Sequence, residues 1–414
     1  MSEEYSKNDK KIQDPNFVED SSKDSSKKSE AIKLLLEQLE STNLASDKTP
    51  AGSQKHLFWD SQPVPKQDVQ IKKDGPLHDD IPIDKVPNEP IELPEGYEWC
   101  LVNIHNEKEM TELYTLLSKN YVEDSDELFR FHYTPEFLKW GLDPPNQNPE
   151  WHLGIRVKNK KRQLIGFISG LQVEMRVKET YFHRPLNPKK LVESGFSRLP
   201  PGMTMSRLVN KFKVISDTSA QLPGMRPIKE KDIPQVRKLL NKYLNSRSKM
   251  HQVFSTDELA KHWLLPRDNV VYSYVVEDVL KPGKVTDFFS FYLLPSTVLK
   301  SSSTDKGSHL INSAYLFYYA TNPEPASGLK PESGESFKQL NDSKLKERLL
   351  ILMYNCLMLA KKENLDVLNC VNVLDNGMII DDLKFGQGDG KLHYYFYNYV
   401  VNGLKPNDVG LTML

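Results

Sequence analysis

Ala314-Tyr315-Leu316-Phe317-Tyr318-Tyr319 is an unbroken apolar and aromatic run, and it is followed by a helical stretch at Ser343–Glu363 and a second strand-like stretch at Val367–Val373. Aromatic and β-branched runs of this length read as strands, so the order is strand, long helix, strand. Working outward, Val270–Val276 and Phe288–Leu293 read as strands. Helices are expected at Ile233–Leu244 and near Thr256–Trp263, in a cycle that opens at Arg226-Pro227-Ile228, and a last strand at Tyr394–Tyr399. Upstream, a similar order recurs: a strand-like start at Trp99–Ile104, helices at Glu107–Asn120 and Pro135–Trp140, and strands at His152–Val157 and Leu164–Val177. The fold class is α/β. The echo between 95–200 and 225–400 points to two related halves, without a residue-level repeat.

The 414 residues exceed the usual single-domain size, and the 38% apolar share is low mainly because the N-terminal stretch is polar. Residues 1–29 are Ser, Lys, Asp and Glu with almost nothing to bury, which predicts disorder. Ile32, Leu35, Leu36 and Leu39 behind Ser29 then follow a helical period, and a Pro-rich passage from Lys48 to Pro94 holds one burial-prone stretch, His56-Leu57-Phe58-Trp59. With 55 Lys+Arg against 56 Asp+Glu, overall charge gives no case for nucleic acid or an anionic membrane. Cys100, Cys356 and Cys370 are odd in number and widely spaced. That argues against a disulfide framework and a zinc site, and fits a reducing compartment. No apolar run is long enough to cross a membrane, and Met1-Ser2-Glu3-Glu4 reads as neither a signal peptide nor a myristoylation signal.

Three local features carry chemistry, each with a plainer reading beside it. Lys384-Phe385-Gly386-Gln387-Gly388-Asp389-Gly390 has three glycines at alternate positions, which permit positive φ and close backbone approach, although most such stretches are simply turns. No Lys-Ser/Thr follows, so it is not a nucleotide-binding loop. Tyr121-Val122-Glu123-Asp124-Ser125-Asp126, ahead of Phe129-Arg130-Phe131-His132-Tyr133, can hold a cationic peptide or be a solvated loop anchored by its aromatics. Val409-Gly410-Leu411-Thr412-Met413-Leu414 ends the chain on apolar residues, which predicts a buried terminus. That end either packs on the sheet or presents its α-carboxylate, with a pKa raised by burial. No Gly-x-Ser-x-Gly elbow and no His-Glu-x-x-His helix is present, so common hydrolase and metalloprotease chemistry is unsupported.

Together these pieces resemble the N-myristoyltransferase family. His56-Leu57-Phe58-Trp59-Asp60-Ser61-Gln62-Pro63 is similar to its N-terminal Phe-Trp-x-x-Gln-Pro segment, and Asn120 to Asp124 with Phe129-Arg130-Phe131 to its peptide-binding loop. Lys384 to Gly390 matches one of its two diagnostic signatures, and Leu414 stands where members end in a catalytic carboxylate. The resemblance implies two N-acetyltransferase-like halves around one saddle-shaped mixed sheet. It divides the chain into a tail with a short amphipathic helix (1–48), an acyl-CoA-binding half (49–200) and a peptide-binding half (201–414). It further implies a cytoplasmic, monomeric acyltransferase that uses myristoyl-CoA as co-substrate, without cofactor or metal, and acylates the N-terminal glycine amine of proteins. In the residues, it implies Leu414 as general base through its carboxylate, with Asn369 and Tyr318 near the amine, and His56, Leu57, Phe58 and Trp59 against the acyl-CoA. Tyr121, Val122, Asp124, Asp126, Phe129, Phe131, Tyr133, His183, Ser296, Asp389 and Gly390 would line the peptide groove.

The attacking glycine amine, with a pKa of about 7.7–8.0, is mostly protonated at neutral pH and needs a base. A free carboxylate near 3.5 is about 4 units too weak, roughly 5.5 kcal/mol, a gap that burial narrows.

One departure from the family pattern is large. Its second signature, a Glu-x-Asn-Phe-Leu-Cys-Val-His-Lys strand running into a basic turn and a helix, has no counterpart. Ile165-Gly166-Phe167-Ile168-Ser169-Gly170 runs through Met175-Arg176-Val177-Lys178 straight into Glu179-Thr180-Tyr181-Phe182-His183-Arg184-Pro185-Leu186-Asn187. The first half is thus internally deleted near residues 178–180, by more than a βαβ unit of roughly 30 residues. In the family that part supplies the oxyanion hole and the CoA-phosphate turn. Two readings follow: an ordinary acyltransferase whose transcript carries a further segment at this junction, or a non-catalytic homologue that keeps the peptide-binding half. Either way, strands beside the deletion are expected to lack partners.

Overall fold

The computed structural model describes residues 74–79, 81–124, 128–171, 179–215, 221–299, 310–322, 337–392, 398–401, 405 and 408–412. The expected N-terminal tail, its amphipathic helix and His56-Leu57-Phe58-Trp59 lie outside them. A small unit contains the antiparallel pair Gly75–Pro76 with Tyr399–Val400, the described end of the strand expected at Tyr394–Tyr399.

The larger unit begins with β1 (Tyr97–Leu101), α1 (Glu107–Asn120), β2 (Phe129–Phe131) and α2 (Pro135–Leu142). Both helices start where the sequence supplies a cap. The Asn106 side chain accepts from the backbone of Lys108 and Glu109 at 3.0 and 3.2 Å, and Thr134 Oγ1 accepts from Phe137 N at 3.2 Å. Strands β3 (His152–Val157) and β4 (Leu164–Ser169) join β1 in an antiparallel sheet ordered β1-β3-β4. Met110 and Leu113 of α1, Leu138 of α2, and Val102, Ile104 and Leu164 form its small buried core. The strand expected at Leu164–Val177 therefore stops at Ser169.

Next come β5 (Glu179–Pro185), the short helices α3 (Pro188–Glu193) and α4 (Met205–Lys211), β6 (Met225–Pro227), α5 (Ile233–Arg247), β7 (Met250–His251) and α6 (Asp257–Leu264). They are followed by β8 (Val271–Glu277), β9 (Val285–Leu293), β10 (Ser296–Val298), β11 (Leu310–Ile311), β12 (Ser313–Thr321), α7 (Phe337–Lys362), β13 (Val367–Val371), β14 (Gly386–Leu392) and β15 (Val409–Gly410). Seven strands form one mixed sheet ordered β14-β5-β13-β12-β9-β8-β6. Only β12 and β13 run parallel in it, and α7 is the crossover that such a pair requires.

All nine residues of β12 are buried, which explains why the 314–319 run does not alternate. Both α5 and α7 pack on β12. Val236, Leu240 and Leu244 of α5 and Leu345, Leu349, Leu352 and Cys356 of α7 enter the same core. The fold is mixed α/β around a large mixed sheet, as the sequence indicates. Its second strand from one edge is β5, which the sequence reading assigns to the first half.

Candidate active site

The site grows from one face of the large sheet. In the β5–β13 register His183 stands opposite Asn369, and in the β12–β13 register Tyr315 does. His183 Nδ1 donates to Asn369 Oδ1 at 2.7 Å, and the Tyr315 hydroxyl hydrogen-bonds the same side chain. Asn369 is buried and so oriented from both sides. Tyr181, two residues before His183 and on the same face, meets the Tyr315 ring edge-on at 6.3 Å. Burial and the neighbouring tyrosines push the hydroxyls of Tyr315 and Tyr133 well above the usual phenol range, so both remain protonated donors.

The three glycines expected in a loop are instead in strand β14, and none has positive φ. Their alternation has another cause. Gly386 faces His183 in the register, and a Cβ on Gly388 would lie 2.7 Å from His183 Cδ2, inside contact distance. A Cβ on Gly390 would touch Tyr181 at 3.4 Å. Glycine at these positions leaves room for the two rings. Gly388→Ala is expected to destabilise the protein by about 1–3 kcal/mol through overpacking and to separate His183 from Asn369. Urea unfolding measures the first effect, and an unchanged midpoint would mean that the ring has space.

On the opposite face of β5, Arg184 is buried and donates to Leu383 O at 2.6 Å and Phe212 O at 3.3 Å. No carboxylate pairs with it among the described residues, and burial pulls its pKa down to about 10. It ties the approach to β14 to the end of α4.

The aromatic loop forms a second wall. Phe131 in β2 pairs with Ser296 in β10, and Phe129 with Val298. Phe131 contacts the rings of Tyr133 and Tyr315 at 5.9 and 6.3 Å, and Tyr121 contacts Tyr133 at 5.6 Å. Phe129 and His183 both meet Phe196 edge-on. Val122 is exposed with φ of 35°, and its carbonyl accepts from Phe131 N.

The acidic residues of this loop differ in state. Glu123 is ion-paired with Arg130. Asp124 Oδ1 accepts from the backbone of Leu128 and Phe129, each at 2.7 Å, so this carboxylate shapes its own loop. Asp126 lies outside the described residues, and so does the side chain of Asp389.

The chain end is buried as far as it is described. Val409 and Gly410 pair in parallel with Met250 and His251 of β7, and Leu374 N donates to Val409 O at 2.8 Å. Thr412 N donates to the Tyr318 hydroxyl at 3.4 Å and Thr412 Oγ1 to Phe317 O at 3.1 Å. Thr412 lines one pocket with Tyr181, Tyr315 and Val371. Leu414 itself is not among the described residues.

Beneath this end, Asp375 accepts from Tyr243 Oη at 2.6 Å and from Arg247 Nη2 and Nε at 2.6 and 3.0 Å. Its backbone N–H donates to Tyr319 Oη at 3.1 Å. Sequence reasoning passed over Tyr181, Tyr315, Arg247 and Asp375. For Tyr181 there was a usable signal, its two-residue spacing from His183 on a strand. For Asp375 there was none.

The chain matches the family model for the myristoyl-CoA:protein N-myristoyltransferase N-terminal domain over residues 76–186 and that for the C-terminal domain over 193–412. It is 35% identical to a glycylpeptide N-tetradecanoyltransferase of Schizosaccharomyces pombe, with 92% of each chain covered. It is also 35% identical to one of Dictyostelium discoideum, covering 94% of this chain and 99% of the relative. Among solved structures it resembles Saccharomyces cerevisiae N-myristoyltransferase with bound myristoyl-CoA, with a TM-score of 0.77 at 31% identity, over 88% of this chain and all of that one. The chain belongs to the myristoyl-CoA:protein N-myristoyltransferase family.

Proposed function

We propose that this protein transfers the tetradecanoyl group of myristoyl-CoA to the N-terminal glycine amine of proteins. Its relatives, aligned along nearly the whole chain, are named for that reaction, which favours it over a non-catalytic peptide-binding role. The observation that carries the residue assignments is the docking of Thr412 on Tyr318 and Phe317. Two residues span at most about 7 Å, a length that puts this pocket within reach of the α-carboxylate of Leu414. There it takes a proton from the glycine ammonium, and the amine attacks the thioester carbonyl. The amide forms and CoA leaves as the thiol.

In this reading Asn369 and Tyr318 orient the amine, and His183 and Tyr315 hold Asn369. Phe129, Phe131, Tyr133 and Ser296 wall the groove, and Tyr121, Val122, Asp124, Asp126, Asp389 and Gly390 contact residues after the glycine. His56, Leu57, Phe58 and Trp59 cover the acyl donor. Residues 49–200 serve the donor and 201–414 the peptide, with β5 shared. The three cysteines are free thiols, which supports a reducing compartment, and we place the protein in the cytoplasm as a monomer. No described helix is long and apolar enough to cross a membrane.

Protein isolated from its own cells should acylate a Gly-initiated peptide in the presence of myristoyl-CoA, and not the Ala-initiated equivalent. Mass spectrometry reads the product; equal acylation of both peptides would refute glycine specificity. Asp124→Asn keeps Oδ1 as a backbone acceptor and removes the charge. It should weaken binding of a peptide with a downstream Lys by about 3- to 10-fold, as expected for roughly 1 kcal/mol of charge pairing. A neutral peptide should be little changed, and equal losses for both would mean that Asp124 only builds the loop.

A further inference from the structure

Strands β8 and β9 are joined by Asp278-Val279-Leu280-Lys281-Pro282-Gly283-Lys284, and the apex of this hairpin carries two aliphatic side chains. Val279 is 64% and Leu280 87% exposed. The apex is held in place by its own bonds. Asp278 N donates to Lys284 O at 2.9 Å, Asp278 Oδ1 accepts from Leu280 N at 3.0 Å, and Gly283 turns the chain at φ of 87°. Helix α5 braces it: Gln235 Nε2 donates to Gly283 O at 2.9 Å, and Gln235 Oε1 accepts from Val285 N at 3.2 Å.

A single exposed leucine needs no explanation. This pair, however, is surrounded by cations, although the chain as a whole is nearly neutral. The nearby carboxylates are occupied: Glu277 by Arg226 at 2.9 Å and by Gly283 N, Asp278 by Lys284 at 3.5 Å, and Glu230 by Lys261 at 2.7 Å. Lys281 on the apex is exposed, as are Lys231 and Lys238, one turn before and one turn after Gln235 on the same side of the helical stretch. None of these three has an ion pair among the described residues.

We infer that the 278–284 hairpin is a peripheral anchor for an anionic bilayer, in which Val279 and Leu280 enter the acyl boundary while Lys231, Lys238 and Lys281 meet the headgroups. Buried apolar surface and attraction to anionic lipid are the two contributions that such an anchor combines. Other partners fit less well. A second copy docked apex to apex would bring the same lysines face to face. Nucleic acid would take the lysines, but the apex offers aliphatic side chains where a base needs an aromatic platform. The anchor is independent of the acyl transfer proposed above, since the surface lies in the hairpin and α5 and uses none of the residues assigned to the reaction.

The test is sedimentation of the full chain with vesicles of phosphatidylcholine, alone or mixed with phosphatidylserine. The expected result is binding to the mixed vesicles that weakens as salt is added and is absent with phosphatidylcholine alone. V279S/L280S and K238E/K281E should each weaken it by about 10-fold or more. Neither should shift the urea unfolding midpoint, because all four side chains are exposed. Hydrogen exchange of the bound protein should show added protection at 278–284. Failure to bind the mixed vesicles overturns the inference. So does equal binding to both kinds of vesicle, or binding that V279S/L280S retains in full, which would place the contact elsewhere on the chain. Two findings would give the apex another occupant and overturn it as well: a dimer dissociated by V279S/L280S, or retention on polyglutamate that both variants lose, without vesicle binding.

Discussion

Adding residues after Leu414 is expected to slow acyl transfer by about 100- to 10,000-fold, the usual contribution of a positioned general base, with peptide affinity almost unchanged. The extension turns the α-carboxylate into a neutral amide that accepts no proton. The strand before it keeps its anchors, because Val409, Gly410 and Thr412 are held by Leu374, β7, Phe317 and Tyr318 and not by the last atom of the chain. The informative measurement is single-turnover transfer by the active protein, with peptide binding followed separately. A single added residue suffices. Turnover that stays within a factor of two or so would remove the terminal carboxylate from the mechanism, since losing a base has a far larger effect.

Asp375→Ala should destabilise the protein by about 1–3 kcal/mol, because it takes the acceptor from the buried Tyr243 hydroxyl and from the Arg247 fork and leaves Arg247 only Asp342, at 3.3 Å from Nη1. Asp375 is almost fully buried and receives Arg247 in two-pronged fashion together with the Tyr243 hydroxyl. Burial already holds Tyr243 far above the phenol range, so it cannot ionise to compensate. Since Leu374 N holds Val409 O, the variant should also loosen the chain end. Asp375→Asn, which keeps hydrogen bonds and loses charge, should fall between the two. Denaturant unfolding monitored by tryptophan fluorescence reads both variants, and a loss under about 1 kcal/mol for the alanine form would show that Asp342 is enough to hold Arg247.

Much of the fold was legible because apolar period and capping agree. Glu107–Asn120 and Pro135–Trp140 read as helices and the 314–319 run as a strand, to which the structure adds the Asn106 and Thr134 caps and burial of that strand on both sides. The glycine stretch reads as a turn and folds as a strand for a physical reason. Alternate glycines signal either turns or a strand face cleared for bulky neighbours, and the sequence does not say that His183 and Tyr181 lie alongside. In the site, the loop aromatics and the buried end could be anticipated from composition. Asp124 could not be told from Glu123, because one caps its own loop and the other is neutralised by Arg130. Such roles depend on pairings between distant residues, to which local pattern is blind.

The bond between His183 and Asn369 joins residues 186 positions apart, and β5 is flanked on both sides by strands from the last quarter of the chain. At synthesis rates of about 5–20 residues per second, β5 waits many seconds for its neighbours, exposing edges that invite wrong pairing. The last described strand, β15, follows β14 in the chain and is made later still. The large sheet is therefore completed only late in synthesis, and a chain that stalls before β14 leaves one edge of β5 without its partner strand.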